Sequence, residues 1–295
     1  MSQCLDPWAT TALELDNSER IQRIRAGCWI SYGRAARILE KLDDLLTHPQ
    51  THRMPNLLLV GETNNGKTML ANQFLKEHPQ SKNPGGEGII VPVLMVQAPP
   101  VPDERRFLAA ILERLYAPYR ASGRIEERQS QVVSLLRLVG LRVLVIDEIQ
   151  HILAGNDLKR NHFLNTIKYL ANELKICIVG VGISTAFNAI NSDAQLANRF
   201  DHAPLPRWKM DNEYRRLLKS FEKYLALRKP SNLTDQELPL KLLNMSEGTI
   251  GEIWAILTRA SIKAIKTGEE QITSETLDAI EWLSPSKRRK GPLLV

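Results

Sequence analysis

The sequence predicts an α/β fold: a parallel sheet covered by helices on both faces, followed by a smaller all-helical domain. Three observations predict it. Short apolar runs recur at residues 57–60, 89–96, 143–146 and 176–181. Strands buried on both faces read as continuous apolar runs, and parallel sheets are buried on both faces. Segments of helical period lie between the runs, which implies an αβα sandwich. After Pro206 the strands stop and only helical patterns follow.

Taken in order, residues 1–54 read as an N-terminal helical segment. Asp16, Asn17 and Ser18 offer N-caps for a helix beginning near Glu19. Ala35, Ile38, Leu39, Leu42, Leu45 and Leu46 then fall at three- and four-residue spacing, so one face of a helix is buried. Pro49 and Pro55 end it. Residues 55–207 read as the α/β core. Its first strand, 57–60, runs at once into a glycine turn and a helix over 68–77. A loop with Pro84, Gly85, Gly86 and Gly88 leads to a strand over 89–96, dense in β-branched residues and stopped by Pro99, Pro100 and Pro102. Helical period returns at 105–115 and 131–139. Residues 208–284 read as the helical domain, with helices at 212–227, 237–243, 251–265 and 274–283. Thr273 and the residues after it form an imperfect capping box for the last. The tail, 285–295, carries Lys287, Arg288, Arg289 and Lys290 and reads as unstructured.

Composition bounds the function. With 295 residues, the chain makes one large domain or two modest ones. Hydrophobic residues at 43% and charged residues at 24% exclude disorder of the whole chain. Cys4, Cys28 and Cys177 are too few and too scattered for a disulfide framework or a zinc site, which fits a reducing, cytoplasmic setting. No apolar run approaches the ~20 residues that span a membrane, and the first ten residues lack the basic and apolar regions of a secretory signal. A net charge of +6 permits a polyanionic partner without requiring one.

The strongest signal is Gly61-Glu62-Thr63-Asn64-Asn65-Gly66-Lys67-Thr68, a full match to G-x-x-x-x-G-K-[ST], followed by Met69. Glycines let backbone N–H groups wrap around phosphates. Lys67 places a point charge on the β- and γ-phosphates of ATP, and the Thr68 hydroxyl is a ligand for Mg²⁺. The helix that follows aims its N-terminal dipole at the anion. The match lies where it should, after an apolar strand and before a helix. A second signal is the apolar run 143–146 ending in Asp147 and Glu148. Asp147 suits the Mg²⁺ shell, and Glu148 suits polarising a water for in-line attack. The bland alternative is an acidic pair at a helix N-terminus. The upstream phosphate loop favours the catalytic reading, and two adjacent acids after the strand favour hydrolysis over mere nucleotide binding.

These motifs resemble the AAA+ ATPases, and most closely the TniB-type accessory proteins of transposition, with TnsC, MuB and IstB as more distant relatives. The likeness is carried by Trp29-Ile30-Ser31-Tyr32-Gly33-Arg34-Ala35, by Arg53-Met54-Pro55-Asn56 leading into the phosphate loop, and by Gln195-Leu196-Ala197-Asn198-Arg199-Phe200. Leu205-Pro206-Arg207-Trp208 and Ser246-Glu247-Gly248-Thr249-Ile250-Gly251 add to it. It extends from about Glu19 to Leu283. The resemblance implies a P-loop ATPase with a five-stranded parallel αβα core and a C-terminal all-helical lid. It implies that Arg199 is an arginine finger acting in trans on a neighbour's γ-phosphate, and that Gln97 is a polar switch near Glu148. The sequence departs from the family twice. Ile183 stands where relatives often have Thr, leaving Ser184 as the substitute sensor. The lid position that often presents an Arg falls in Gly248-Thr249-Ile250-Gly251-Glu252, so it is Gly or Glu. A carboxylate there repels phosphate, which implies slow or partner-stimulated hydrolysis.

The resemblance also implies a ring or filament of this chain around double-stranded DNA, held by Lys and Arg on phosphates without base readout. Arg105, Arg106, Arg120, Arg124 and Arg128 are the candidates. A solvated helix face is the competing reading, because Glu104, Glu113, Glu126 and Glu127 interleave with them. Trp254 and Trp282 read as core, while Trp29 and Tyr32 suit either core or an adenine platform. The expected function is an ATP-dependent transposition regulator that assembles on target DNA, recruits a separate transposase and possible target-selection protein, and disassembles on hydrolysis. The alternative is a helicase-loader or clamp-loader-like ATPase.

Overall fold

The computed structural model describes residues 5–191, 197–235 and 237–289. Cys4, Gln195, Leu196 and Lys290, singled out above, lie outside the described residues. The strands are β1 (Asn56–Gly61), β2 (Ser81–Lys82), β3 (Ile89–Ile90), β4 (Val93–Gln97), β5 (Val143–Asp147), β6 (Cys177–Gly182) and β7 (Phe200–Leu205). The helices are α1 (Pro7–Leu13), α2 (Asn17–Ala26), α3 (Gly33–Thr47), α4 (Lys67–Glu77), α5 (Glu104–Arg114), α6 (Ile125–Leu138), α7 (Asp157–Leu174) and α8 (Ala186–Asn191). After β7 come α9 (Asn212–Tyr224), α10 (Leu238–Ser246), α11 (Ile250–Thr267), α12 (Ser274–Asp278) and α13 (Pro285–Arg289). Contacts divide the chain into two compact units: Arg37–Thr63 with Lys67–Leu205, and Met1–Ala36 with Asn64–Gly66 and Pro206–Val295.

In the α/β unit the described residues form a five-stranded sheet in the order β4-β5-β6-β1-β7. Every pairing in it is parallel. β1 and β5 carry the apolar runs 57–60 and 143–146, and both runs are buried, as the sequence predicts. Phe107, Phe163, Leu144 and Ile178 are among the fully buried residues of this core. The parallel register brings the carboxyl ends of β1, β5 and β6 to one edge, where ligands bind in open α/β sheets.

The structure differs from the sequence reading in several places, and two of the differences have plain physical causes. The run 89–96 is two strands, β3 and β4, separated at Val91 and Pro92, because Pro92 has no N–H to give a ladder. β3 instead pairs antiparallel with β2. The fifth core strand, β7, escaped the residue-by-residue reading. It is an edge strand that exposes Asp201 and His202 and holds Pro204, so it lacks an apolar run. α6 starts six residues before the expected 131, and α7 was not singled out at all.

In the helical unit, α9 presents Tyr214, Leu217, Leu218 and Phe221 to a core shared with Ile253, Ile256 and Leu257 of α11. Ala9, Ala12 and Ile24 of α1 and α2 belong to this same core. α12 ends at Asp278, well short of the expected 283. Its cap is formed by Thr273 and Thr276, whose side chains and backbone amides satisfy each other. The tail read as unstructured is helical over Pro285–Arg289. Trp254 stacks on Phe221 with centroids 5.7 Å apart, and Tyr32 packs edge-on against Trp208 at 5.4 Å.

Candidate nucleotide-binding site

β1 ends at Gly61 and α4 begins at Lys67, so the intervening loop has the strand–loop–helix context that its sequence requires. Gly66 takes φ +82°, a left-handed conformation that strains any residue with a Cβ. Glu62, Thr63 and Asn64 are exposed along the loop, and Met69, 53% exposed, lies on the first turn of α4. Lys67 is buried and its Nζ donates to the Glu62 carbonyl at 2.7 Å. Burial lowers the lysine's pKa, against the opposing pull of Glu148, Asp147 and Glu62.

The Thr68 hydroxyl donates to Asp147 Oδ2 at 3.0 Å, although β6 lies between β1 and β5. Asp147 is buried, which raises its pKa. The Glu148 amide at 2.9 Å and the Thr68 hydroxyl pull it back toward the charged form. A hydroxyl and a carboxylate side by side are hard oxygen donors. Among the described residues no group of three or more His, Cys, Asp or Glu is gathered to cage a metal. That sparse pair fits Mg²⁺, which keeps waters and takes its remaining ligands from phosphates.

Glu148 itself adopts φ +55°, a strained backbone for a non-glycine residue. One side-chain oxygen accepts from Gln150 Nε2, and Gln150 Oε1 accepts from the Ile183 amide at 3.3 Å. Gln150 therefore ties the carboxylate to the end of β6. The sequence reading missed this residue. Its only signal was an amide two positions beyond the acidic pair. Ser184, the expected sensor, is exposed in the turn after β6, and the backbone of its neighbour Ile183 makes the link instead. Gln97 ends β4 in register with Asp147 and is exposed.

The loop tip belongs to the helical unit. Asn64 Nδ2 donates to Glu252 Oε1 at 2.9 Å, and the Asn64 carbonyl accepts from the Gly251 amide at 3.0 Å. Asn65 is buried; its Oδ1 accepts from the Ile250 amide at 3.3 Å and its Nδ2 donates to the Pro206 carbonyl at 3.3 Å. The first amides of α11, which have no partner within their helix, are thus capped by the phosphate loop. Only glycine fits at position 251, where a Cβ would lie 2.7 Å from the Asn64 carbonyl oxygen.

Arg199 lies elsewhere. It precedes β7, at the amino edge of the sheet, and the Asn56 amide donates to its carbonyl at 2.9 Å. A six-residue strand, roughly 17–20 Å long, separates that edge from the phosphate loop. Its Nη1 donates to Asn172 Oδ1 at 2.7 Å. Among the arginines proposed for DNA, Arg105, Arg106, Arg120 and Arg124 are exposed, and Arg106 pairs with Asp103 at 3.7 Å. Arg128 is a correction. It is buried, stacks on Tyr119 at 4.7 Å and donates to the carbonyls of Arg105, Arg120 and Ala121. Its Nη1 and Nη2 groups are engaged by carbonyls of the fold rather than presented to solvent.

The model of the bacterial TniB protein family matches residues 20–210, well over half of the chain. The chain belongs to the TniB family. Its fold is that of the AAA+ ATPases. The ORC2 protein of Aeropyrum pernix, solved as ADPNP–ADP complexes, is similar with a TM-score of 0.61 at 16% identity, over 83% of this chain and 66% of that one. The ORC1 protein of the same organism, solved in complex with DNA, is similar with a TM-score of 0.58 at 21% identity, over 87% and 64%. Cdc6p of Pyrobaculum aerophilum has a TM-score of 0.60 at 17% identity, over 89% and 69%. This TniB-family chain spans slightly under two thirds of the length of the two ORC proteins. The search of curated proteins returned no match. No helix among the described residues is long and apolar enough to cross a membrane.

Proposed function

We propose that this TniB-family chain is an ATP-hydrolysing regulator of transposition that assembles on duplex DNA in the cytoplasm and recruits a separate transposase. The observation that carries the enzymatic part is the Thr68–Asp147 pair at 3.0 Å, with Lys67 one residue before Thr68 and Glu148 one after Asp147. Gly61 to Met69 cradle the triphosphate, and Lys67 neutralises its β- and γ-oxygens. Thr68 and Asp147 hold Mg²⁺, which supplies charge stabilisation at the phosphates when bound. Glu148 accepts the proton of the attacking water. Gln97, at the end of β4, and Ser184, just after β6, supply further polar groups at the same edge of the sheet.

Arg199 is too far from its own phosphate loop to serve it, so its role as a finger is in trans, at the site of a neighbouring copy. ATP then joins subunits into a ring or filament, and hydrolysis releases them. Arg105, Arg106, Arg120 and Arg124 supply phosphate contacts, each weak alone and multiplied along the assembly. The test is binding to duplex DNA with a slowly hydrolysed ATP analogue, with ADP and without nucleotide, read by sedimentation and by negative-stain imaging. Tight, salt-sensitive binding and higher-order assembly are expected with the analogue alone. Equal affinity and no assembly in all three states would refute the proposal.

Gln150 carries a further expectation. If its amide orients Glu148, Gln150→Leu lowers steady-state ATP turnover on the order of tenfold. The ATP dissociation constant should stay within about twofold, because Gln150 belongs to neither the phosphate cradle nor the Mg²⁺ pair. A variant with wild-type turnover removes Gln150 from the mechanism.

A further inference from the structure

The basic C-terminal segment is anchored beside the phosphate-loop tip. The Ser286 amide donates to Glu247 Oε1 at 2.8 Å, and hydrogen bonds from Ser286 hold the Glu247 carboxyl below its ordinary pKa. Two residues on, Arg288 Nη2 pairs with Glu252 Oε2. The Arg288 guanidinium also lies 5.3 Å from the Trp282 ring centroid, and Trp282 is fixed by its own bond to the Met245 carbonyl at 2.9 Å. Glu252 is nearly enclosed, with a side chain 10% exposed, while Arg288 is 48% exposed.

The other Glu252 oxygen accepts from Asn64 Nδ2 at 2.9 Å. One carboxylate therefore joins the phosphate-loop tip to the C-terminal basic segment. Left uncompensated, it would set an enclosed negative charge beside a loop built to receive polyphosphate. Enclosed charges are poorly screened, and their repulsion falls only slowly with distance.

We propose that Arg288 conditions the phosphate-loop tip, by neutralising Glu252 so that the tip accepts a polyphosphate. It acts through Glu252 and touches no phosphate, so it is a positioning residue. The proposal rests on the reading of residues 61–68 as a nucleotide loop. It also changes the meaning of the glutamate at the lid position. The repulsion expected from Glu252 is cancelled by a residue 36 positions later.

The experiment is a double-mutant cycle on the full chain: wild type, Arg288→Ala, Glu252→Gln and both together. Each is titrated calorimetrically with Mg²⁺ and a slowly hydrolysed ATP analogue, and separately with uncharged adenosine. Arg288→Ala is expected to weaken analogue binding about tenfold and adenosine binding by less than twofold. In the Glu252→Gln background the same substitution should cost less than about twofold. Unchanged analogue binding by Arg288→Ala would overturn the proposal. So would an equal loss in the Glu252→Gln background, or equal losses for the analogue and adenosine. A wild-type chain that binds no nucleotide would overturn the reading of the loop itself.

Discussion

Glu148→Gln is expected to bind ATP with wild-type affinity and to lose roughly 10²–10⁴-fold of turnover. The amide keeps the shape of the side chain and the contact with Gln150, but it cannot accept a proton. Subunits that bind ATP without hydrolysing it should accumulate as the DNA-bound assembly. The companion variant, Lys67→Ala, removes a cation whose Nζ is fixed against Glu62 at 2.7 Å, within the loop. It should lose nucleotide binding, and with it assembly. Steady-state phosphate release, with calorimetric binding of ATP, distinguishes the two. Wild-type turnover in Glu148→Gln would refute the assignment of the base.

Glu270→Ala is expected to destabilise the helical unit by about 3–5 kcal/mol. Arg20 is fully buried, and its Nη2 is shared between Glu270 Oε1 and Asn17 Oδ1. Among the described residues its Nε and Nη1 have no hydrogen-bond partner. Removing the carboxylate leaves an enclosed cation with Asn17 Oδ1 as its one acceptor among the described residues. Glu270 also has φ +56° and an oxygen that accepts from the Arg228 amide at 3.3 Å, so the loop after α11 loses a fixed point as well. The double replacement Arg20→Met with Glu270→Leu should cost much less than Glu270→Ala alone, since apolar groups of similar volume need no counter-charge. Urea unfolding of the two variants, compared with wild type, reads the order. A Glu270→Ala chain as stable as wild type would show that Arg20 finds another acceptor.

The two outcomes differ in how far they were legible beforehand. Residues 61–68 and 147–148 are contiguous motifs whose chemistry is carried by residue type and spacing, so their candidacy could be stated from the chain alone. The apolar runs at 57–60, 143–146 and 176–181 announced β1, β5 and β6 because each strand is buried on both faces. β7 did not announce itself, because an edge strand with polar residues on one side carries no such run. The buried Arg20–Glu270 pair was invisible for a different reason. Its partners are 250 residues apart, and each resembles a surface residue until both are enclosed.

The same distinction runs through the site. By itself the sequence determined the fold class, the phosphate loop, the acidic strand end and membership of a recognisable family, because these depend on local pattern. Only the tertiary structure decided that Gln150 holds Glu148, that Arg128 is spent inside the fold and that Asn64 and Asn65 cap α11. It also decided that Arg288 answers the charge of Glu252. Each of these is a hydrogen bond or ion pair whose partner is set by how the chain packs, and neither distance nor burial is a property of residue order.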